Sequence, residues 1–353
     1  MNGFPRILVD LEKLEDNSRA ICDLARDRGI SVAAVTKATC GDPRVARAML
    51  KGGADLLADS RLDNIKRMKK AGIGCPMMLL RSPMPSETDD VVEHVDMSIN
   101  TDPGVISDLS RKAISSNRVH GVILMVEMGD LREGVPRDRV SDLVTSVLGM
   151  EGVELLGIGM NLACFAGVVP TRDKIDGFEQ LVTELESTLG HSFEMISGGN
   201  SANIPLLLKK DHGNRINNLR IGEGILLGLE TVNRTAIPNT HQDAFIVQGE
   251  LIEVYEKHSV PDGQISQNAY GETPTFPDRG IFARGIVALG RQDVKIDGLR
   301  PVNGELEILG GSSDHILVRV GPEASAGDVI SFIPNYGSLV SAFTSGYVKK
   351  EYR

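Results

Sequence analysis

The chain has 353 residues, 41% hydrophobic and 24% charged, with a formal net charge of -10, the balance of an ordinary globular protein with room for more than one domain. The acidic balance and the lack of any Lys/Arg-rich run speak against a nucleic-acid partner. No stretch nears the roughly 20 apolar residues of a membrane span, and "MNGFPRILVDLEKL" lacks the basic-then-apolar order of a signal peptide, so a cytoplasmic protein is expected.

The first strand candidate, "RILVD", precedes all others, and the opening residues 1–10 are a candidate to pair with a later domain. From about residue 30 to 225, eight short apolar runs alternate with amphipathic stretches: "SVAAVTK", "DLLADS", "PMMLLR", "VDMSIN", "HGVILMVE", "ELLGIGMN", "FEMISGG" and "LRIGEG". Helix spacing fits "DPRVARAMLKGG", "RLDNIKRMKKAG" and "TRDKIDGFEQLVTELESTL", the last opened by a Thr cap with an Asp in its first turn. Eight such units predict an α/β fold, a (β/α)8 TIM-like barrel over 1–235, with its active site at the C-terminal ends of the strands. Beyond 235 the texture changes to "AFIVQGELIEVYEK", "RGIFARGIVALG", "ELEILGGSSDHILVRV" and "DVISFIPNY", which predicts a mainly β domain over 236–353.

Lys37 closes the first barrel run. A desolvated amine at a barrel strand end is suited to attack carbonyls; a solvated strand-end lysine is the plainer alternative. Three other strand ends carry chemistry. "SGGNSANIP" offers glycines, Asn200 and Ser201 ahead of a helix, a phosphate-holding turn or a simple helix cap. "NLRIGEGILLG" places Arg220 before Gly222, so the arginine is either part of a site or paired with a nearby carboxylate. "MVEMGDLREGV" carries Arg132, fit to grip a substrate carboxylate, unless it is surface charge or the partner of Asp130. Cys22, Cys40, Cys75 and Cys164 stand far apart without a CxxC pair, which argues for reduced thiols and against zinc or a disulfide framework. No metal site is expected.

The order of these segments resembles the alanine racemase type of pyridoxal-phosphate enzyme, fold type III, and within it the ornithine racemase branch. The resemblance runs through "VTKATCGDP", "ADSRLDNIKR", "GDLREGV", "GIGMNLACF", "ALGRQD" and "GGSSDHI" and spans nearly the whole chain. It implies an amino-acid racemase, a head-to-tail homodimer, and Lys37 as the residue bonded to pyridoxal phosphate. It implies Ser201 and the backbone near Gly222 for the phosphate, Arg220 facing the ring nitrogen, and Asn161 where the family usually has a ring-stacking histidine. A guanidinium there should discourage protonation of the ring nitrogen and limit the electron sink, which favours racemisation over decarboxylation.

Racemisation needs a second acid/base opposite Lys37. The family's tyrosine position falls on Arg291, too weak a base to inherit the role. His315 in "SSDHI" is the leading replacement because imidazole titrates near neutrality, ahead of Tyr270, Tyr336 and Cys40, the last more simply a small buried residue. Arg132 would take the α-carboxylate, and Asp293, Asp314 or Glu127 the far end of a cationic side chain, with ornithine the first choice. A decarboxylase of the same architecture and a non-catalytic pyridoxal-phosphate carrier are the alternatives. Arg220 speaks against the first and the C-terminal domain against the second.

Overall fold

A computed structural model describes residues 3–353. Sixteen strands follow in chain order: β1 (Arg6–Val9), β2 (Ser31–Val35), β3 (Leu56–Asp59), β4 (Met77–Leu79), β5 (Met97–Asn100), β6 (His120–Val126), β7 (Val153–Met160), β8 (Met195–Ser197), β9 (Asn218–Ile221), β10 (Phe245–His258), β11 (Ile281–Val287), β12 (Leu299–Pro301), β13 (Glu307–Gly311), β14 (Ile316–Arg319), β15 (Val329–Pro334) and β16 (Lys349–Tyr352). Strands β2 to β9 pair in sequence and close into a parallel barrel, β9 returning to β2 with Ala33 opposite Arg220. All eight predicted runs are barrel strands.

Both faces of these strands are buried, which is why they read as continuous apolar runs. Ala33, Val35, Leu56, Ala58, Met78, Ile99, Ile123 and Met125 pack together as one cluster, while the alternate residues Val32, Ala34, Leu57 and Leu79 are equally buried. Between strands, helices start where the sequence provides a cap. Asp42 accepts from Arg44 N at 2.9 Å ahead of Pro43–Lys51, Asp102 from Val105 N at 3.0 Å ahead of Pro103–Ser115, and Thr171 caps Arg172–Leu189. No helix among the described residues is long and apolar enough to cross a membrane.

The chain divides into two compact units. One spans Leu11–Gln242 and holds the barrel; the other joins residues 3–10 to Asp243–Arg353. The tail of the barrel unit folds back on the helix Leu11–Arg26. Asn17 donates to Ile225 O at 3.0 Å and His241 O at 2.9 Å and accepts from His241 N at 2.6 Å. In the other unit the sheet order is β12-β15-β10-β11-β14-β13. There β1 lies antiparallel to β10 and parallel to β16, with Ile7, Val9, Phe245, Val247 and Phe332 buried. Arg6 ties the three strands, donating to Gln248 and Glu351 at 2.8 Å each.

Candidate active site

Strand β2 ends at Val35, and the next residue explains how a charged amine can follow. Thr36 is buried and its hydroxyl donates to the Asp59 carboxylate at 2.7 Å, fixing the chain before it enters the 3-10 turn Lys37–Thr39. Lys37 is exposed, and its side-chain amine has no hydrogen-bond or ion-pair partner among the described residues. Cys40 N–H closes the turn on Lys37 O at 3.2 Å, and Cys40 takes a left-handed φ of 53°. Gly41 (φ 60°) follows with no room for a side chain, since a Cβ would lie 2.9 Å from Asn64 O. Burial raises the pKa of Asp59, against the hydrogen bonds from Thr36, Asn64 and the backbone that lower it.

Beside β2 a column of polar side chains rises through β8 and β9. Asn218 donates to Ser31 Oγ at 3.1 Å and accepts from Ser197 Oγ at 2.7 Å, and Ser197 Oγ accepts from Arg220 Nη1. Arg220 is 5% exposed; its Nη2 donates to Met160 O at 2.9 Å and Asn161 Oδ1 at 3.4 Å. The carboxylate partner entertained from sequence is absent among the described residues: a hydroxyl, a carbonyl and an amide hold the guanidinium instead. Burial pushes the Arg220 pKa down to about 10, still charged at neutral pH.

Asn161 follows β7 and is 7% exposed. Its Oδ1 also accepts from Asn200 Nδ2 at 3.0 Å. Asn200 caps the turn Ser201–Asn203, accepting from Ala202 N at 2.8 Å, and donates further to Leu162 O at 2.7 Å and Cys164 Sγ at 3.2 Å. Ser201 Oγ accepts from Gly224 N at 3.1 Å, which joins the loop after β8 to the turn after β9. Gly222 lies in that turn, where an added Cβ would come within 3.1 Å of Val35 Cβ.

The loop after β6 is braced from within. Glu127 Oε1 accepts from Gly129 N and from Leu131 N at 3.2 Å, and Gly134, at φ 145°, passes so close that a Cβ would meet Glu127 N at 2.3 Å. Arg132 is paired with Glu133 through Nε and Nη2, which raises its pKa. Asp130 is not its partner. It is buried and accepts from Cys164 N at 3.1 Å, Phe165 N at 2.9 Å and Ala166 N at 3.2 Å, clamping the loop after β7.

In the β unit, the segment 290–293 lies against 312–315 through Arg291 N to Ser312 O at 2.9 Å and Gln292 N to Ser313 O at 3.1 Å. Arg291 pairs with Glu272 at 2.8 and 2.9 Å and stacks over the Tyr270 ring at 4.4 Å. The Tyr270 hydroxyl donates to Ser313 Oγ at 3.3 Å. His315 Nδ1 is 3.4 Å from Ser312 Oγ, and Asp314 accepts from Gln292. Asp293 is buried and turned into its own loop, accepting from Gly290 N at 3.0 Å; burial raises its pKa. Tyr336 opens the helix Tyr336–Thr344.

The family model for the alanine racemase N-terminal domain matches residues 9–229. A lysine racemase of Thermotoga maritima is 40% identical over 99% of this chain and 98% of its own length. An ornithine racemase of Acetoanaerobium sticklandii is 37% identical over 99% of each. The crystal structure of an alanine racemase from E. faecalis superposes with a TM-score of 0.72 at 19% identity, covering 99% of this chain and 98% of that one, a likeness of fold. This chain belongs to the alanine racemase family.

For a member of this family, the residues singled out from sequence fall into two groups. Within the barrel unit, Asn161, Asn200 and Arg220 form one hydrogen-bonded set, while Lys37, Ser201, Gly222 and Arg132 lie on neighbouring strand ends. Within the β unit, Arg291, Asp314 and His315 share one pair of turns, Tyr270 packs against it, and the Asp293 side chain is withdrawn from it. Sequence reasoning passed over Asp59, Ser197 and Glu133. Asp59 ends the run "DLLAD" as Lys37 follows "SVAAVT", a polar group closing an apolar strand, and that was the available signal. Among the described residues one trio could offer metal ligands, Asp90, Glu93 and His94; it lies on the helix Thr88–His94, and Asp90 already pairs with Lys66 at 2.7 Å.

Proposed function

We propose that this chain is a pyridoxal-phosphate-dependent racemase of a basic amino acid, ornithine or lysine, working in the cytoplasm as a head-to-tail homodimer. The observation that carries the reading is the occurrence at adjacent barrel strands of an amine without a side-chain partner, Lys37 in the turn after β2, and a buried guanidinium with no carboxylate partner among the described residues, Arg220 on β9. Whole-length identity to a lysine and an ornithine racemase supports the substrate class. The four free cysteines suit a reducing compartment. The exposed apolar residues Ile252, Tyr255 and Ile281 of the β unit support association of two copies, for which two-fold symmetry is the commonest arrangement.

The residues present fit the cofactor. A buried cation without a counter-ion and the buried Nδ2 of Asn161, which has no partner among the described residues, both call for acceptor atoms on a ligand. Lys37 would hold the cofactor covalently, Ser201 and the backbone at Gly222 its phosphate, and Arg220 and Asn161 its ring, with Asn200 fixing Asn161. When bound, pyridoxal phosphate supplies the electron sink that makes the substrate Cα proton acidic.

Lys37 takes or returns that proton on one face. Arg220, charged at neutral pH, would face the ring nitrogen and disfavour its protonation, which would hold the chemistry to proton transfer. Arg132, beside Glu133, receives the substrate carboxylate, and Asp314, with Asp293 or Glu127 as the lesser choices, meets the distal cation. His315 serves the opposite face, its ring steered by Ser312; Tyr270, held by Arg291, is the rival that mutation would separate from it.

The test is exchange of the α-proton of L-ornithine, L-lysine and L-alanine in heavy water, with chiral analysis of the product. Exchange with appearance of the D-isomer of a basic amino acid is the expected result, lost in Lys37→Ala together with the visible absorbance of the lysine-bound cofactor. Exchange restricted to alanine would overturn the substrate class, and exchange with none of the three would overturn the reading.

A further inference from the structure

Asn161 is the one member of the barrel-mouth network whose hydrogen bonding is left half complete. Its orientation is not arbitrary, although amide nitrogen and oxygen are alike in shape. Asn200 is fixed first, because its Oδ1 accepts from Ala202 N at 2.8 Å. Its Nδ2 must then face outward as a donor, and Asn161 turns an oxygen to it at 3.0 Å. Arg220 Nη2, at 3.4 Å, needs the same atom as an acceptor. Two donors thus claim Asn161 Oδ1, and its Nδ2 is left buried with no acceptor among the described residues. A buried amide donor in that state is costly unless something completes it.

We propose that Asn161 Nδ2 is a hydrogen-bond donor reserved for an acceptor on the pyridoxal-phosphate ring, either the ring nitrogen or the 3-oxygen. The inference rests on the cofactor reading above and deepens it. Asn161 then does by hydrogen bonding what an aromatic residue does by stacking, and it accepts only an atom that is not itself protonated. Together with Arg220 it makes that side of the mouth a donor pair facing one acceptor-bearing ring edge.

The experiment measures pyridoxal-phosphate binding by titration and thermal melting of the cofactor-free protein, for wild type, Asn161→Ala and Asn161→Asp. Truncation leaves the neighbours satisfied, since Asn200 keeps Leu162 O and Arg220 keeps Met160 O. Both variants should bind pyridoxal phosphate about 10- to 100-fold more weakly while the cofactor-free protein melts no lower than wild type. The gap between wild type and Asn161→Ala should close for one of two analogues, the 3-deoxy compound or the one with carbon in place of the ring nitrogen, naming the acceptor. Unchanged affinity, or a lower melting point with affinity intact, would mean that the amide only holds the loop and overturns the inference. A wild type that does not bind pyridoxal phosphate would overturn the cofactor reading and this inference with it.

Discussion

Arg220 keeps its charge in a place where an isolated cation is costly, and it does so with acceptors alone: Ser197 Oγ, Met160 O and Asn161 Oδ1. Any carboxylate substituted there would meet oxygen on every side. Arg220→Glu is therefore expected to destabilise the cofactor-free protein by about 3–5 kcal/mol, read from denaturant melts at neutral pH; a melt matching wild type would show that the network does not hold the barrel mouth. Lys37 and Arg220 were legible in the sequence because each puts a charge where an apolar run ends. What they touch was not, since Arg132 chose its neighbour Glu133 over Asp130, and Asp59 acquires meaning only when Thr36 and Asn64 arrive from other elements.

Strand β6 carries a titrating group far from any proposed chemistry. His120 opens the strand, 1% exposed, with Nε2 at 2.7 Å from Ser98 Oγ on β5, and burial lowers its pKa from 6.5 to about 4. The folded protein refuses a proton that the unfolded chain accepts, so stability is full above about 6.5 and falls as the pH drops toward 4. Between about pH 7 and pH 5 this one residue should account for about 2 kcal/mol of lost stability. His120→Gln should flatten the pH dependence of the urea midpoint by that amount, and an unchanged slope would locate the acid sensitivity elsewhere. The strand itself was plain from "HGVILMVE", because a strand buried on both faces leaves a run without alternation. The inner and outer sides of that run could not be told apart from the letters alone; the layer formed by Ile123 and Met125 emerges only with the neighbouring strands.

At the scale of the whole molecule, the barrel unit is an insertion within the β unit: β1 comes before it in sequence and pairs with β10 and β16 beyond it. Composition revealed the change of texture near residue 235, whereas the return of the unit's tail to Asn17, an interaction across 224 residues, left no mark in it. Ile7→Ala, which empties a fully buried site on β1, should cost about 2–5 kcal/mol. The loss should appear in the unfolding of the β unit, followed by hydrogen exchange at β10 and β16, while amides of β2 to β9 keep their protection. Equal loss in both would mean that the units unfold as one. The insertion also imposes an order on synthesis. Arg6 and its partner Glu351 are 345 residues apart, so at about 5–20 residues per second the ribosome takes roughly 17–70 s to make the second after the first. Through most of that interval the earliest strand of the protein waits for β10, and it gains β16 only after every strand of the barrel has been made.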